Sequence, residues 1–491
     1  MAEKKKIKIL VHADSPTVAT GFATVTRNIF QYLGKTGRYD ITIFGVNDRG
    51  GWKDPKEHPY KIYPAMDMHS GDVYGRPRFV NVVRGADLEI RPSWDIIFTL
   101  NDPFIFEQPV PGIGDGLMRI MEGLSKAYHD KLPPKNWYKT VAYWPVDSWL
   151  KGNWVQNAVA VADYPVAYTE FGKREIMKAD QLLTEPTHVN PRVIYHGFDA
   201  EHFKPISEKE KKEFRQKFFQ GQVGEDIFIV SAIARNQPRK DLPRVLKIFR
   251  EFQKQRPHSF LYLHCRETDV HGSLKEYAQF FGLEHGKDWM TPANFNENIG
   301  YPLEVLNKIY NISDAHISAT HGEGWGLPLV EMMGAKTINI APNITAIPEI
   351  FNTVDSDLSI GSLEGDIRGI PVKAGSTTSE WFARGPDDYE RIRPITNVDD
   401  AVEKLLWVYD NPDKVQTIVD RAYEWVQQYS WENMAQKWDQ LFQEVYKDLE
   451  KERADAVRKA AAEKAKDKSA KPKRDDSRSV SKTEKEHPKN G

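Results

Sequence analysis

The chain has 491 residues, 40% of them hydrophobic, and a formal charge of −2, a composition that fits a water-soluble protein with material for more than one core. At roughly 150 residues per domain it predicts two or three domains. The near-neutral charge singles out neither nucleic acid nor membrane, no stretch approaches the ~20 apolar residues of a membrane span, and a single cysteine, Cys265, excludes an intrachain disulfide.

In chain order, the basic start MAEKKK leads into IKILVHA (7–13). This apolar run is too short for a signal peptide and is broken by Asp14 and Pro16, so a reducing, cytoplasmic location is expected. An amphipathic segment from Phe22 to Leu33 follows, and then the candidate strands YDITIFGV (39–46), WDIIFTL (94–100), KTVAYW (139–144), PVAYT (165–169) and RVIYH (192–196). Short β-branched runs alternating with helical stretches predict parallel βαβ units. The polar and aromatic stretch between 47 and 93 is too long for a plain connection and reads as a functional insertion. After YHGFDAEHFKP (195–205) the alternation restarts: a helix near 207–219, IFIVSAIA (227–234), a helix from Leu242 to Phe252, SFLYLH (259–264) with Cys265 as a small buried residue, a helix near 303–310, AHISA (315–319) and TINIA (337–341). Past 397 the pattern is helical, closing with a helix capped by Ser430 that carries Trp431, Met434, Trp438, Leu441, Phe442, Val445 and Leu449 on one face. The expectation is an α/β chain: one doubly wound domain over 1–197, a second over 198–430, a helix at 431–450 packing back, and a disordered charged tail over 451–491, with a helical start as the alternative for its first residues. The tail holds fourteen Lys/Arg against eight Asp/Glu, a net of +6 that leaves the rest of the chain at −8. A solvated tail is preferred to a nucleic-acid-binding arm.

The chemistry concentrates in HGEGWGLPLVEMMGAK (321–336). The segment leaves a strand, passes through glycines, and enters a helix with Pro328 in its first turn. In an open parallel sheet, ligands bind beyond the carboxyl ends of the strands, and a helix start with exposed amides favours phosphate. Gly324, Gly326 and Pro328 interrupt the path between Glu323 and Glu331, so the two carboxylates face different parts of a ligand. Carboxylates accept hydrogen bonds from sugar hydroxyls, and the pairing points to a nucleotide sugar. The plainer alternative is a Glu331 at the positive end of a helix dipole and a solvated Glu323. A second cluster favours the ligand: in ARNQPRKDLPRVLKIF, Arg235 and Lys240, with Arg239 between them, follow a strand end and form a clamp for a diphosphate.

These residues carry a resemblance. GEGWGLPLVEMMGAK resembles the E-x7-E segment of retaining GT-B glycosyltransferases of the GT4 class, with Trp325 in the aromatic slot. SAIARNQPRKDLP resembles that family's Arg…Lys donor-phosphate loop and VIYHGFDAEHFKP its interdomain segment, while Pro348–Glu349 matches a further motif. The likeness runs from about 165 to 350; the N-terminal half is similar more loosely, through SPTVATGFATVTRNIFQYL. The resemblance implies two Rossmann-like domains facing a cleft, with the last helix crossing back to the first domain. It also implies that Arg235 and Lys240 hold the donor diphosphate, Glu331 the ribose and Glu323 the transferred sugar. Gly324, Trp325, Gly326 and Leu327 would line the donor, Gly21 would lie near it, and His196–Gly197 would form the hinge. Many members carry a histidine where this chain continues NDPF, so Asn101 or Asp102 would occupy that position, and YWPVDSW offers Asp147. Asp102, Asp147 and Glu323 are therefore the catalytic candidates, with a turn before Pro103 and a helix cap as the alternatives for the two aspartates.

GIGDG (112–116) follows no strand and reads as a loop, and DSD (355–357) lies beyond the key helix, so no catalytic metal and no cofactor are expected. His264, His316 and His321 lack zinc spacing and read as structural. The expected activity is transfer of a sugar from a UDP-, GDP- or ADP-sugar to an acceptor hydroxyl with retention. Trp52, Tyr60, Tyr63, Trp144, Trp149 and Trp154 are candidates for stacking on the acceptor, a glycan or small molecule in preference to DNA. The alternatives are glycosylation of a hydroxymethylated base in DNA, a nucleotide-sugar epimerase, or a non-catalytic sugar-nucleotide-binding protein.

Overall fold

The computed structural model describes residues 5–470 apart from 49, 67–70, 91–92, 222, 225, 294, 296–299, 384–387 and 390. Strands β1 (Ile7–Asp14), β2 (Tyr39–Val46), β3 (Lys61–Pro64), β4 (Ile96–Leu100), β5 (Lys139–Trp144), β6 (Tyr164–Ala167) and β7 (Arg192–Val193) form a parallel sheet in the order β3-β2-β1-β4-β5-β6-β7. Alternation along each strand sorts its residues onto two faces. Leu10, Phe44, Ile97 and Trp144 enter one core, whereas Ile9, Val11, Phe98 and Tyr143 enter the other. Both faces are covered, which is why a strand such as IIFTL is apolar nearly throughout and buried at every position.

One of those covers comes from the far end of the chain. The helix Trp431–Ala470 lays Trp438, Leu441, Phe442 and Val445 against the Ile9, Phe98 and Tyr143 face, so the C-terminal segment crosses back to the first domain. Ser430 caps it, accepting from the Asn433 amide at 3.1 Å. The helix does not stop at 450: residues 451–470, expected as tail with at most a helical start, continue it, and 471–491 lie outside the described residues. Two causes are visible. The run ADAVRKAAAEKA holds strong helix formers and no Gly or Pro, and Arg453 is buried, donating to Asp95 Oδ1 at 2.8 Å and to the Trp137 carbonyl.

The second sheet contains β8 (Phe228–Ile233), β9 (Ser259–His264), β12 (Trp289–Met290), β13 (Ala315–Ile317), β14 (Ile338–Pro342) and β15 (Ile370–Val372), all parallel, in the order β12-β9-β8-β13-β14-β15. Two small hairpins accompany it, β10 (Thr268–Asp269) with β11 (Gly272–Ser273) and β16 (Trp381–Ala383) with β17 (Ile392–Pro394). In order of appearance both sheets run third, second, first, fourth, fifth, sixth, and the first sheet adds a seventh strand after these. Each is doubly wound, with its switch point between the first and fourth strands, and the carboxyl ends of those strands open a crevice there.

The chain crosses between domains at 194–198 and again at 429–431, and the crossings are hydrogen-bonded to each other: Phe198 N to Tyr429 O at 2.6 Å and Trp431 N to Phe198 O at 3.1 Å. Gly197 is required there, since a Cβ would stand 2.4 Å from the Trp431 ring. Within the 47–93 insertion the structure is more regular than expected, with β3 and the helix Arg76–Arg84 contributing Phe79, Val80 and Val83 to the core. Among the candidate stacking aromatics, Trp144 and Trp154 are buried in that same core, leaving Trp52 exposed, Trp149 at its surface, and Tyr60 and Tyr63 half-buried. Among the described residues no helix is long and apolar enough to cross a membrane.

Candidate active site

The two loops singled out by sequence leave the two strands that flank the second switch point, β8 and β13. The β8 loop turns into the helix Leu242–Gln255 through Asp241, which adopts φ +43° and caps the helix, accepting from the Arg244 amide at 3.3 Å. The same carboxylate faces His321 Nε2 at 3.0 Å, and the His321 amide donates to the Arg239 carbonyl at 2.8 Å, so the β8 and β13 loops brace each other. This bracing presents Lys240 and Arg239 to Glu323. Lys240 Nζ donates to Glu323 Oε1, and Arg239 Nη1 lies 3.7 Å from Oε2. Burial would raise the Glu323 carboxyl, but the two cations outweigh it and hold it below the usual carboxylate range; burial lowers the Lys240 ammonium despite Glu323.

Glu331 lies one turn into the helix Leu327–Gly334 and meets different chemistry. Its Oε2 accepts from the Tyr310 hydroxyl at 2.6 Å, and burial pushes its carboxyl up to about 7 against that bond. The glutamates thus have separate surroundings, one cationic and one phenolic, as the interrupted path between them requires. Gly326 precedes the helix at φ +89°, a conformation other residues resist. The Trp325 ring does not line the cleft: it is buried against Tyr195, Trp425 and Tyr429, so this expected donor contact is limited to its backbone. Arg235 also turns away from Glu323, its Nε donating to Asp269 Oδ2 on the β10–β11 hairpin at 2.9 Å. Arg239, read as the middle cation, is the one that joins Lys240 on Glu323.

Across the cleft stand the first domain's loops. Gly21 starts the helix Gly21–Lys35 opposite Leu327, where a Cβ added to it would lie 3.8 Å from Leu327 Cδ1, and Gly322 packs against the Asp147 carbonyl so closely that a Cβ would lie 1.9 Å from it. His196, at the crossing between domains, accepts from or donates to Tyr143 at 2.8 Å and packs near Tyr168, Trp325 and Trp431; burial lowers its pKa to about 3, so it is neutral. Asp102 follows β4 before the helix Pro103–Glu107 but makes no capping bond with its carboxylate. Asn101 is buried and accepts from the Asp102 amide at 2.9 Å. Burial, then the charge of Asp147, pushes the Asp102 carboxyl up to about 7. Asp147 is neither a helix cap nor free. Arg391 Nη1 at 3.0 Å, Arg393 Nη2 at 3.3 Å and Arg239 Nε at 3.3 Å surround it, and although burial opposes ionisation these arginines hold it far below the usual range.

Sequence reasoning missed this arginine pair. Arg391 and Arg393 stand two apart at β17, so they point to one side, and Asp388 holds both, at 2.7 Å and 2.6 Å. The strand-like alternation in RIRP was the available signal, yet nothing in it names the partner. His264 and His316 are structural, bonded to Tyr262 and Asn339 at 2.8 Å each.

No family model matches the chain, and no curated protein matches it. Solved structures do match over almost the whole length. Sucrose-phosphate synthase from Thermosynechococcus elongatus superposes with a TM-score of 0.63 at 14% identity, covering 90% of this chain and 99% of the other. Anabaena HepE in complex with UDP-glucose gives 0.61 at 14% identity, covering 89% and 100%. The chain has the GT-B fold. An α,α-trehalose-phosphate synthase (UDP-forming) from Burkholderia vietnamiensis shares that fold at 0.58 and 9% identity, over 90% of this chain and 98% of its own. In GT-B terms, the β8 and β13 loops belong to the C-terminal domain and Asp102 and Asp147 to the N-terminal one.

Proposed function

We propose that the protein transfers a sugar from a nucleotide diphosphate donor to an acceptor hydroxyl, with retention and without a metal, as GT4-class enzymes do. One observation carries the reading: loops from both strands at the switch point bring Lys240, Arg239 and Glu323 together at a helix start, opposite two carboxylates whose surroundings differ, Asp102 enclosed with no ion pair among the described residues and Asp147 ringed by three arginines. The fold shared with a UDP-glucose complex supports a nucleotide-sugar donor.

In this reading Lys240 and Arg235, with Arg239 beside them, take the diphosphate together with the amides of Gly326 and Leu327. Glu331 takes the ribose hydroxyls, and Glu323 the hydroxyls of the transferred sugar, with Gly21 and Gly324 allowing close approach. The bond from the anomeric carbon to the diphosphate oxygen breaks as the acceptor oxygen bonds to that carbon on the same face. The leaving diphosphate is stabilised by the cations and the helix start, work otherwise given to a divalent ion. The acceptor proton passes to Asp102, whose carboxyl near 7 suits exchange at neutral pH. Asp147 stays ionised and positions Arg239. Rotation about the crossing at His196–Gly197 opens the cleft, and its closure excludes water from the donor.

A thermal-shift panel of UDP-, GDP- and ADP-sugars tests the donor, a ligand at 100 times its dissociation constant adding roughly 2.7 kcal/mol. Lys240→Ala and Glu331→Ala each remove a buried polar contact and are expected to weaken donor binding about 10- to 100-fold, the equivalent of roughly 1.5–3 kcal/mol. Folded variants that transfer sugar at the parent rate would refute the assignment, and donor binding without transfer to any hydroxyl would mark a binding protein.

A further inference from the structure

A cavity of about 350 Å³ lies on the N-terminal domain between the β1 loop, the helix Gly21–Lys35 and the insertion, lined by Pro16, Thr17, Arg27, Gln31, Glu57 and His58. It adjoins the cleft, because the same loop meets the C-terminal domain at Ala19, 3.3 Å from a Cβ placed on Gly300, and at Gly21 opposite Leu327. Its distinctive group is Arg27. The guanidinium is half-buried, and its only hydrogen bonds among the described residues are long ones, 3.3 Å to the Pro16 carbonyl and 3.5 Å to Thr24 Oγ1. Among the described residues no carboxylate lies within 4 Å of it. Three buried arginines are answered by carboxylates, Arg76 by Asp72 at 2.9 Å, Arg393 by Asp388 at 2.6 Å and Arg453 by Asp95 at 2.8 Å, and the part-buried Arg368 by the Ile350 and Glu349 carbonyls at 2.8 and 2.9 Å. Burial disfavours the Arg27 charge more than Tyr60 and Asp199, acting from a distance, favour it. A desolvated fork with most of its donors uncommitted matches a planar or tetrahedral anion.

The rest of the lining narrows the ligand. The exposed Glu57 carboxylate at the rim would repel a bare anion but accepts hydroxyl protons, and the Gln31 amide both donates and accepts. We propose that this cavity anchors the acceptor and that the acceptor is a hydroxyl-bearing anion, a sugar phosphate or sugar acid, held through Arg27. The proposal rests on the glycosyl-transfer reading above and names its second substrate.

The test measures binding of glucose, glucose 6-phosphate, glucuronate and inorganic phosphate to the full chain by calorimetry in saturating UDP, GDP or ADP, whichever the parent binds, for the parent, Arg27→Gln and Arg27→Lys. The parent is expected to prefer an anionic sugar over glucose by about 10- to 100-fold, the range of a charge-assisted bidentate contact. The phosphate and acid arms distinguish which anion fits. Arg27→Gln removes the preference; should that variant fail to fold, Arg27→Lys, which keeps the charge but loses the fork, still reduces it. Equal binding of glucose and both anionic sugars, no binding of either anionic sugar, inorganic phosphate matching the sugar phosphate, or a preference that survives both substitutions would each overturn the proposal. Binding of UDP, GDP and ADP by the parent is read first: absence of all three counts against the donor site itself, whereas nucleotide binding with a failed acceptor arm counts against Arg27 alone.

Discussion

The sharpest consequence of the cleft electrostatics concerns Asp102→Asn. A carboxyl raised from 3.8 to about 7 is protonated in the folded protein over a pH range in which it is ionised in the unfolded chain. Between those values the folded state binds the extra proton, so stability is greatest below the unfolded value and is lost as pH rises through the folded one. The full shift of about 3 units corresponds to an upper bound of about 4 kcal/mol at 1.36 kcal/mol per unit. Asp102 keeps some contact with solvent, and screening brings the expectation to about 2 kcal/mol. Asparagine cannot ionise and so removes the dependence. Urea unfolding of parent and variant at about pH 4 and about pH 8 is the assay; the difference between the two proteins cancels Glu331, which titrates in the same window. Asp102→Asn is expected to gain about 2 kcal/mol on the parent between the acid and alkaline measurements while losing transfer activity. No change in the relative stability of the two proteins with pH would refute the claim that a buried, charge-crowded Asp102 carries a displaced proton.

Two other substitutions probe the scaffold. Gly322→Ala places a methyl 1.9 Å from the Asp147 carbonyl; an overpacking cost of about 1–3 kcal/mol is expected, seen as a lowered melting temperature and weakened donor binding. Trp438→Ala empties a fully buried site where the C-terminal helix crosses the first sheet, and a loss of about 3–5 kcal/mol is expected in urea unfolding. A loss under about 1 kcal/mol would mean the helix contributes little to the N-terminal core.

Much of this architecture is local and could be read from residue order. Short β-branched runs between helical stretches identify most strands of both sheets, and the capping serine before Trp431 marks the last helix. The strands missed, β3, β12 and β15, are four residues long or shorter, too brief for a pattern to stand out. The same limit hid the β16–β17 hairpin. Tail composition was misleading in the other direction: charge and alanine imply a solvated segment, but a single buried Arg453 ties its first turn to Asp95, more than three hundred positions away in the chain.

Sequence by itself determined the two doubly wound domains, the loops that bear the glutamates and cations, and the separation of Glu323 from Glu331, because these follow from short-range periodicity and from glycines and prolines in the intervening path. Only the tertiary structure decided which cation meets which carboxylate. Arg239 and Arg235 are four residues apart in one loop, yet one reaches Glu323 and Asp147 and the other Asp269. Asp102 and Asp147 look alike in sequence, but three arginines from the opposite domain converge on one and leave the other crowded by its charge. Ion pairing acts through space over a few ångströms, and those distances exist only once the chain has folded, within the C-terminal domain for Glu323 and Asp269 and across the cleft for Asp147.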